Sequence, residues 1–166
     1  LELFDAYQRL IDQADQQLQG MLSSVQRFMT TAPKSKKRGG KHAPRFDART
    51  ALYQWVGVDL TQIGGIDVST ALTVLLEIGW DLSKFKSAKH FASWLGLCPG
   101  TRITGGKRIG SATKRTHNRA TQALKLAAHG LQRSTCSLGA FYRKKAARQG
   151  AGKAVTATAH KLARLI

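Results

Sequence analysis

Between Gly100 and Thr116 the chain reads GTRITGGKRIGSATKRT. Five hydroxyls, Thr101, Thr104, Ser111, Thr113 and Thr116, are interspersed with Arg102, Lys107, Arg108, Lys114 and Arg115, and Arg119 follows shortly after. Cations at this density grip phosphate oxygens. A hydroxyl held among them is also a candidate nucleophile, because positive charge stabilises both an alkoxide and a pentavalent phosphoryl group. The segment is not a nucleotide-binding phosphate loop: five residues rather than four separate Gly100 from Gly106-Lys107, and Arg108 stands where Ser or Thr is needed. Two readings remain on residue types alone. The loop either only grips phosphate, or one of its hydroxyls attacks it.

Charge identifies the partner. Residues 82–166 hold eighteen Lys and Arg and no Asp or Glu, whereas residues 1–81 hold nine of each, so the whole formal charge of +18 lies in the second half. A one-sided stretch this long calls for a polyanion, nucleic acid first. It also limits the chemistry, since a Mg²⁺ site needs carboxylate oxygens. Any metal-assisted step at the loop must therefore take its carboxylates from another domain or molecule. No metal site is expected within the chain, because two cysteines and the isolated His90, His117, His129 and His160 make no zinc pattern. The longest apolar run, Ala71 to Trp80, is ten residues with Glu77 inside it, too short to span a membrane. Nothing resembles a secretory signal, and Cys98 and Cys136 fit a reducing cytoplasm. The chain opens on Leu1 within a helical pattern and stops at Ile166 in mid-helix, which reads as a fragment of a longer protein.

The elements that must position the loop read as helices throughout. Residues 1–29 repeat every seven residues, with Phe4, Ile11, Leu18 and Val25 in one register and Tyr7, Ala14, Met21 and Phe28 in the other, as in a coiled coil. Residues 30–45 carry Pro33, Pro44, a Gly pair and a run of bases, as in a basic flexible linker. Asp47 is placed to cap a helix through Trp55 whose apolar face is Leu52, Trp55 and Val56. Residues 60–79 then outline a helix-hairpin-helix, in which the turn at Gly64-Gly65 would leave backbone N–H groups free for a phosphate. That outline departs from the usual Gly-x-Gly and places Asp67 beside the supposed phosphate, so a purely structural hairpin is the competing reading. Further helices are expected over 87–97 (Phe91, Trp94 and Leu95 inward), 118–132, 138–148 and 153–166. The three tryptophans read as core anchors. The expected fold is all-α, a long coiled-coil helix followed by a small helical domain over 46–166.

At the loop the sequence resembles a known family. Asp59-Leu60-Thr61 to Gly65-Ile66, then FASWLGLCP (91–99), ITGGK (103–107), Asn118-Arg119-Ala120 and the basic tail AFYRKKAARQGAGKAVTATAHKLA are similar to the C-terminal domain of the IS110 transposases, with their IS116 and IS902 relatives. Gly-Leu-x-Pro followed five residues after the proline by a hydroxyl residue and Gly is the specific part. The resemblance covers residues 46–166, and residues 1–45 match only in kind, as a coiled-coil spacer.

The resemblance implies a bacterial, cytoplasmic, bridge-RNA-guided DNA recombinase. In that family an N-terminal RuvC-like domain supplies a DEDD set of acidic residues for Mg²⁺, and the C-terminal domain supplies a serine that links covalently to DNA. The serine position falls on Thr104, a departure, with Ser111 as the alternative nucleophile. Arg102, Lys107, Arg108, Lys114, Arg115, Arg119, Gly64 and Gly65 are the expected DNA- or RNA-binding residues. The expected partners are DNA, a guide RNA and a second copy through the coiled coil, and the chain alone is expected to be inactive. The competing expectation is a non-catalytic helix-hairpin-helix module that only binds nucleic acid.

Overall fold

Side-chain caps written into the sequence start five of the helical segments. In the computed structural model, which describes residues 2–25, 27, 29–33, 44–79 and 81–166 apart from the Arg108 side chain, α1 spans Glu2–Ser24 and α2 spans Ala48–Val56. A 3₁₀ turn at Leu60–Gln62 precedes α3 (Val68–Ile78) and α4 (Ala88–Trp94). Two strands follow, β1 (Arg102–Thr104) and β2 (Lys107–Gly110), then α5 (Arg119–Gly130), a 3₁₀ turn at Leu131–Arg133, α6 (Ser137–Gln149) and α7 (Ala151–Ala163). Asp47, Asp67, Ser87 and Asn118 each accept from the backbone N–H three residues on, satisfying a donor that the first turn of a helix leaves free. Asp59 does the same for the 3₁₀ turn, two residues on.

Asp59 also receives Arg49 from α2 in a nearly buried ion pair. Burial alone would raise the Asp59 carboxyl, but hydrogen bonds from Arg49, Thr61 and Gln62, with the Arg49 charge, hold it far below the usual carboxylate range. The pair ties α2 to the turn that leads into α3.

The core lies between α3, α5 and α7. Val74, Leu75 and Ile78 of α3 meet Leu124 and Ala128 of α5, and Ala159, Leu162 and Ala163 of α7 close the cluster. Small buried residues, Ala120 and Ala128 on α5 and Ala154 and Ala159 on α7, allow these helices to approach closely. Helix α6 packs on α7 with Tyr142 fully buried.

Several expectations need correction. The fold is mostly helical and begins with the long helix expected, but the basic loop contains the small antiparallel pair β1–β2, where no strand was expected. Trp94 does not point inward; it is 47% exposed. Trp80 and residues 34–43 of the expected linker lie outside the described residues, as does Phe28 of the heptad pattern. The chain is held on either side of residues 34–43: the Met29 N–H, just before the expected linker, donates to Gln54 O, and Arg45 at its end pairs with Asp12 and Gln8 of α1 while its N–H donates to Asp15.

Helix α1 ends at Ser24, so the heptad pattern outruns the helix. Its buried residue is Leu22, which belongs to neither heptad register. Leu18, Leu22 and Val25 pack on the core at its C-terminal end, while Phe4, Tyr7, Ile11 and Met21 remain exposed. The helix therefore anchors to its own domain at its C-terminal end, with Leu18 of the heptad stripe, and leaves Phe4, Tyr7 and Ile11 of that stripe exposed.

Candidate functional site

The loop singled out by its hydroxyls and cations is a β-hairpin. Thr104 pairs with Lys107 across Gly105-Gly106, whose φ angles of 55° and 74° are those of a two-residue type I′ turn. Below the turn Ile103 pairs with Arg108 and Arg102 with Gly110, with a bulge between the last two pairs. The pairing continues to a bridge between Pro99 and Thr113, and the Gly100 N–H donates to Ala112 O at 3.0 Å.

Strand register decides which groups share a face. Side chains alternate along a strand and directly paired residues point the same way. Arg102, Thr104 and Lys107 therefore lie on one face of the ribbon, with paired Cβ atoms about 5 Å apart. All three are exposed. The Thr104 hydroxyl stands at the tip between an arginine two residues back and a lysine across the ladder. That arrangement can hold a phosphate next to a hydroxyl. Ser111 is also exposed but lies beyond β2, outside the paired ladder.

The base of the hairpin is clamped to the end of α4. Thr116 and Thr121 both donate their hydroxyls to Leu95 O, at 3.1 and 2.8 Å. Gly96 has φ of 68°, and a Cβ there would sit 2.6 Å from the Thr116 methyl and 2.8 Å from Lys114 O. Leu95 and Leu97 are buried on either side. The Gly-Leu-x-Pro stretch is thus the seat on which the hairpin stands. Residue-type reasoning did not find Thr116 and Thr121 in this role, because their acceptor is a backbone carbonyl more than twenty residues away.

Gly96 and Gly105 should behave differently when replaced by alanine. Both have positive φ, which costs a side chain about 1 kcal/mol. Only Gly96 adds a backbone collision; a Cβ at Gly105 meets nothing within 4 Å. Gly96→Ala is expected to lose about 2 kcal/mol or more, and Gly105→Ala about 1 kcal/mol. Thermal melts of the two variants check this, and equal melting shifts would contradict the clamp.

The cations expected to bind nucleic acid are brought together in part. Arg102, Lys107, Lys114, Arg115 and Arg119 are exposed along the hairpin, its base and the first turn of α5. Among the described residues the ion pairs are Arg45–Asp12 and Arg49–Asp59, so no carboxylate neutralises these five. The Arg108 side chain lies outside the described residues.

Gly64 and Gly65 sit elsewhere. A Cβ on Gly64 would touch Cys136 Sγ at 3.3 Å, and one on Gly65, at φ of 92°, would lie 2.8 Å from Leu131 Cγ. The turn is packed against the end of α5, beside an open groove of about 720 Å³ lined by Asp67, Thr70, Thr73 and Ala127. Asp67 already places a carboxylate on the N-terminus of α3.

Among the described residues no three His, Cys, Asp or Glu side chains cluster to hold a metal. No Asp or Glu follows Asp81, so the hairpin and the helices after it carry none of their own. Cys98 and Cys136 are free thiols. No helix among the described residues is long and apolar enough to cross a membrane.

Comparison with known proteins matches this region. Residues 58–143, just over half of the chain, match the transposase family IS116/IS110/IS902. That stretch takes in α3, α4, the hairpin, α5 and about half of α6. Over 106 residues the chain is 33% identical to the "Insertion element IS110 uncharacterized 43.6 kDa protein" of Streptomyces coelicolor. The match covers 63% of this chain and 25% of that protein, so it spans about a quarter of the relative's length.

Proposed function

The chain belongs to the IS116/IS110/IS902 transposase family, and from that premise we propose that it is the part of a DNA recombinase that brings a hydroxyl nucleophile to the strand being cut. The nucleophile is Thr104. The observation that carries the reading is the hairpin register, which places Thr104 on one exposed face with Arg102 and Lys107. A phosphodiester held by the two cations lies within reach of the hydroxyl, and the same cations offset the charge that develops on the phosphoryl oxygens.

The acidic half of the chemistry comes from outside residues 82–166. A RuvC-like domain with a DEDD set for Mg²⁺ meets that requirement, and a guide RNA is the further partner that the family resemblance implies. Alone, the chain binds nucleic acid without cutting it. The test is whether a full-length protein carrying this domain forms a Thr104-dependent covalent adduct with DNA. The competing reading, binding without chemistry, draws on one feature, the secondary hydroxyl of Thr104 where the family has a primary one.

The uncovered stripe on α1 is a pairing surface for a second copy. Phe4, Tyr7 and Ile11 are 64%, 58% and 47% exposed, and a repeat of this spacing is covered when two helices wrap together. Sedimentation at tens of micromolar is expected to report a dimer or larger. Ile11→Asp should yield a folded monomer, because it leaves an unpaired carboxylate in the seam at a position that is exposed in the single chain and outside its core. A monomeric parent would refute the pairing.

A further inference from the structure

Trp94, the last residue of α4, is 47% exposed. Its ring lies 5.5 Å from that of Phe85, which in turn lies 5.0 Å from that of Phe91. Phe91 is buried and Phe85 half-buried, so the cluster is rooted in the core and reaches the surface at the indole. His90, also exposed, precedes Trp94 by four residues and so shares its helix face. Lys86 and Lys89 are exposed nearby in the chain, and the Lys84 ammonium lies 5.5 Å from the Phe85 centroid. No Asp or Glu occurs from Leu82 to Ile166, and the exposed Asp81 precedes Lys84 by three residues.

An exposed aromatic braced from behind and set among cations has the composition of a base-stacking platform. Stacking tolerates any base, because every base has a π-face, and it adds to phosphate attraction. A protein-docking surface would share the exposed tryptophan but not the lysine-rich surroundings, since lysine is depleted at protein interfaces. Position adds a second argument. Leu95, the next residue, is the one whose carbonyl receives Thr116 and Thr121, so the indole adjoins the seat of the hairpin.

We propose that Trp94, braced by Phe85 and flanked by Lys86, Lys89 and His90, stacks an unpaired base of a DNA single strand beside the hairpin. The choice of DNA rests on the function proposed above, because cutting and rejoining strands requires bases that have left their duplex. The stacking itself stands on the aromatic cluster and its charge.

The experiment compares the whole chain binding a short oligothymidylate and an abasic oligonucleotide of equal length, by fluorescence anisotropy. Charge is the same in both, so the ratio of affinities isolates the base. The chain is expected to prefer oligothymidylate by about 5- to 100-fold. Trp94→Ala should erase that preference while leaving abasic binding unchanged, and Trp94→Phe should keep most of it. Equal affinity of the parent for both probes, or a preference that survives in Trp94→Ala, would overturn the proposal. So would a Trp94→Ala variant that loses the preference while Trp94→Phe restores none of it. A larger Trp94-dependent preference for oligouridylate would overturn the assignment to DNA. Adduct formation at Thr104 is read separately, so its failure leaves this ratio untouched.

Discussion

Thr104→Ala, in a full-length protein with its guide RNA, is expected to form no protein–DNA adduct, where the parent forms one that resists denaturant and is removed by protease. In the step proposed, the Thr104 Oγ–phosphorus bond forms as a bridging P–O bond to sugar breaks. The hydroxyl gives up its proton, and the leaving sugar oxygen gains one. Losing the hydroxyl therefore abolishes the step rather than slowing it, and the adduct should fall by about a thousandfold or more. Binding should be unchanged, since the substitution removes no charge and Thr104 is exposed at the hairpin tip. Thr104→Ser should preserve the adduct or raise its yield, because a primary hydroxyl is less hindered at an in-line attack. If Thr104→Ala still forms the adduct and Ser111→Ala does not, the nucleophile lies past β2 and the family chemistry stands. If neither change matters, the covalent mechanism fails here and binding alone remains.

Some of the fold was legible in the sequence because its signals are local. Asp47 announces its helix as a cap, the helices expected from Ser87 and Asn118 begin one residue later, and all three residues cap them. The apolar spacing of 120, 123, 124, 127 and 131 within the expected helix over 118–132 likewise marks the face that meets the core. The hairpin was missed because its strands are three and four residues long and exposed, so neither shows the apolar–polar alternation of a half-buried strand. The available signal was Gly105-Gly106 between Ile-Thr and Lys-Arg-Ile, a two-residue turn pattern. Trp94 was misplaced for a different reason. Helical spacing puts it on the side of Phe91, but α4 has only seven residues and its final turn emerges from the core. Gly96 was visible as part of a motif, yet its cause, the approach of Lys114 and Thr116, is tertiary. As hydroxyls in a loop the two candidate nucleophiles looked alike; the family motif favoured Thr104, and the strand register adds that Thr104 is in the paired ladder and Ser111 beyond it.

The binding of nucleic acid by the chain alone should depend steeply on salt. Arg102, Lys107, Lys114, Arg115 and Arg119 are exposed and unpaired with any carboxylate among the described residues, and the surrounding half of the chain carries only positive charge. Each phosphate that such a cation neutralises releases condensed counterions, so log affinity falls with log salt by about 0.9 per contact on duplex DNA. If about six to eight phosphates are engaged, the slope is about −5 to −7, a loss of about a thousandfold or more between 50 and 200 mM salt. Replacing Lys114, Arg115 and Arg119 together by alanine should make the slope shallower by about 2 to 3 and weaken all sequences alike, because phosphate contacts carry no sequence information. Filter binding or anisotropy across a salt series measures both quantities. A slope shallower than about −2 would mean that the one-sided charge is not a phosphate-binding surface. The Thr104 proposal would then lose its substrate along with its electrostatics, since the cations that hold the phosphodiester are the ones that would activate the hydroxyl.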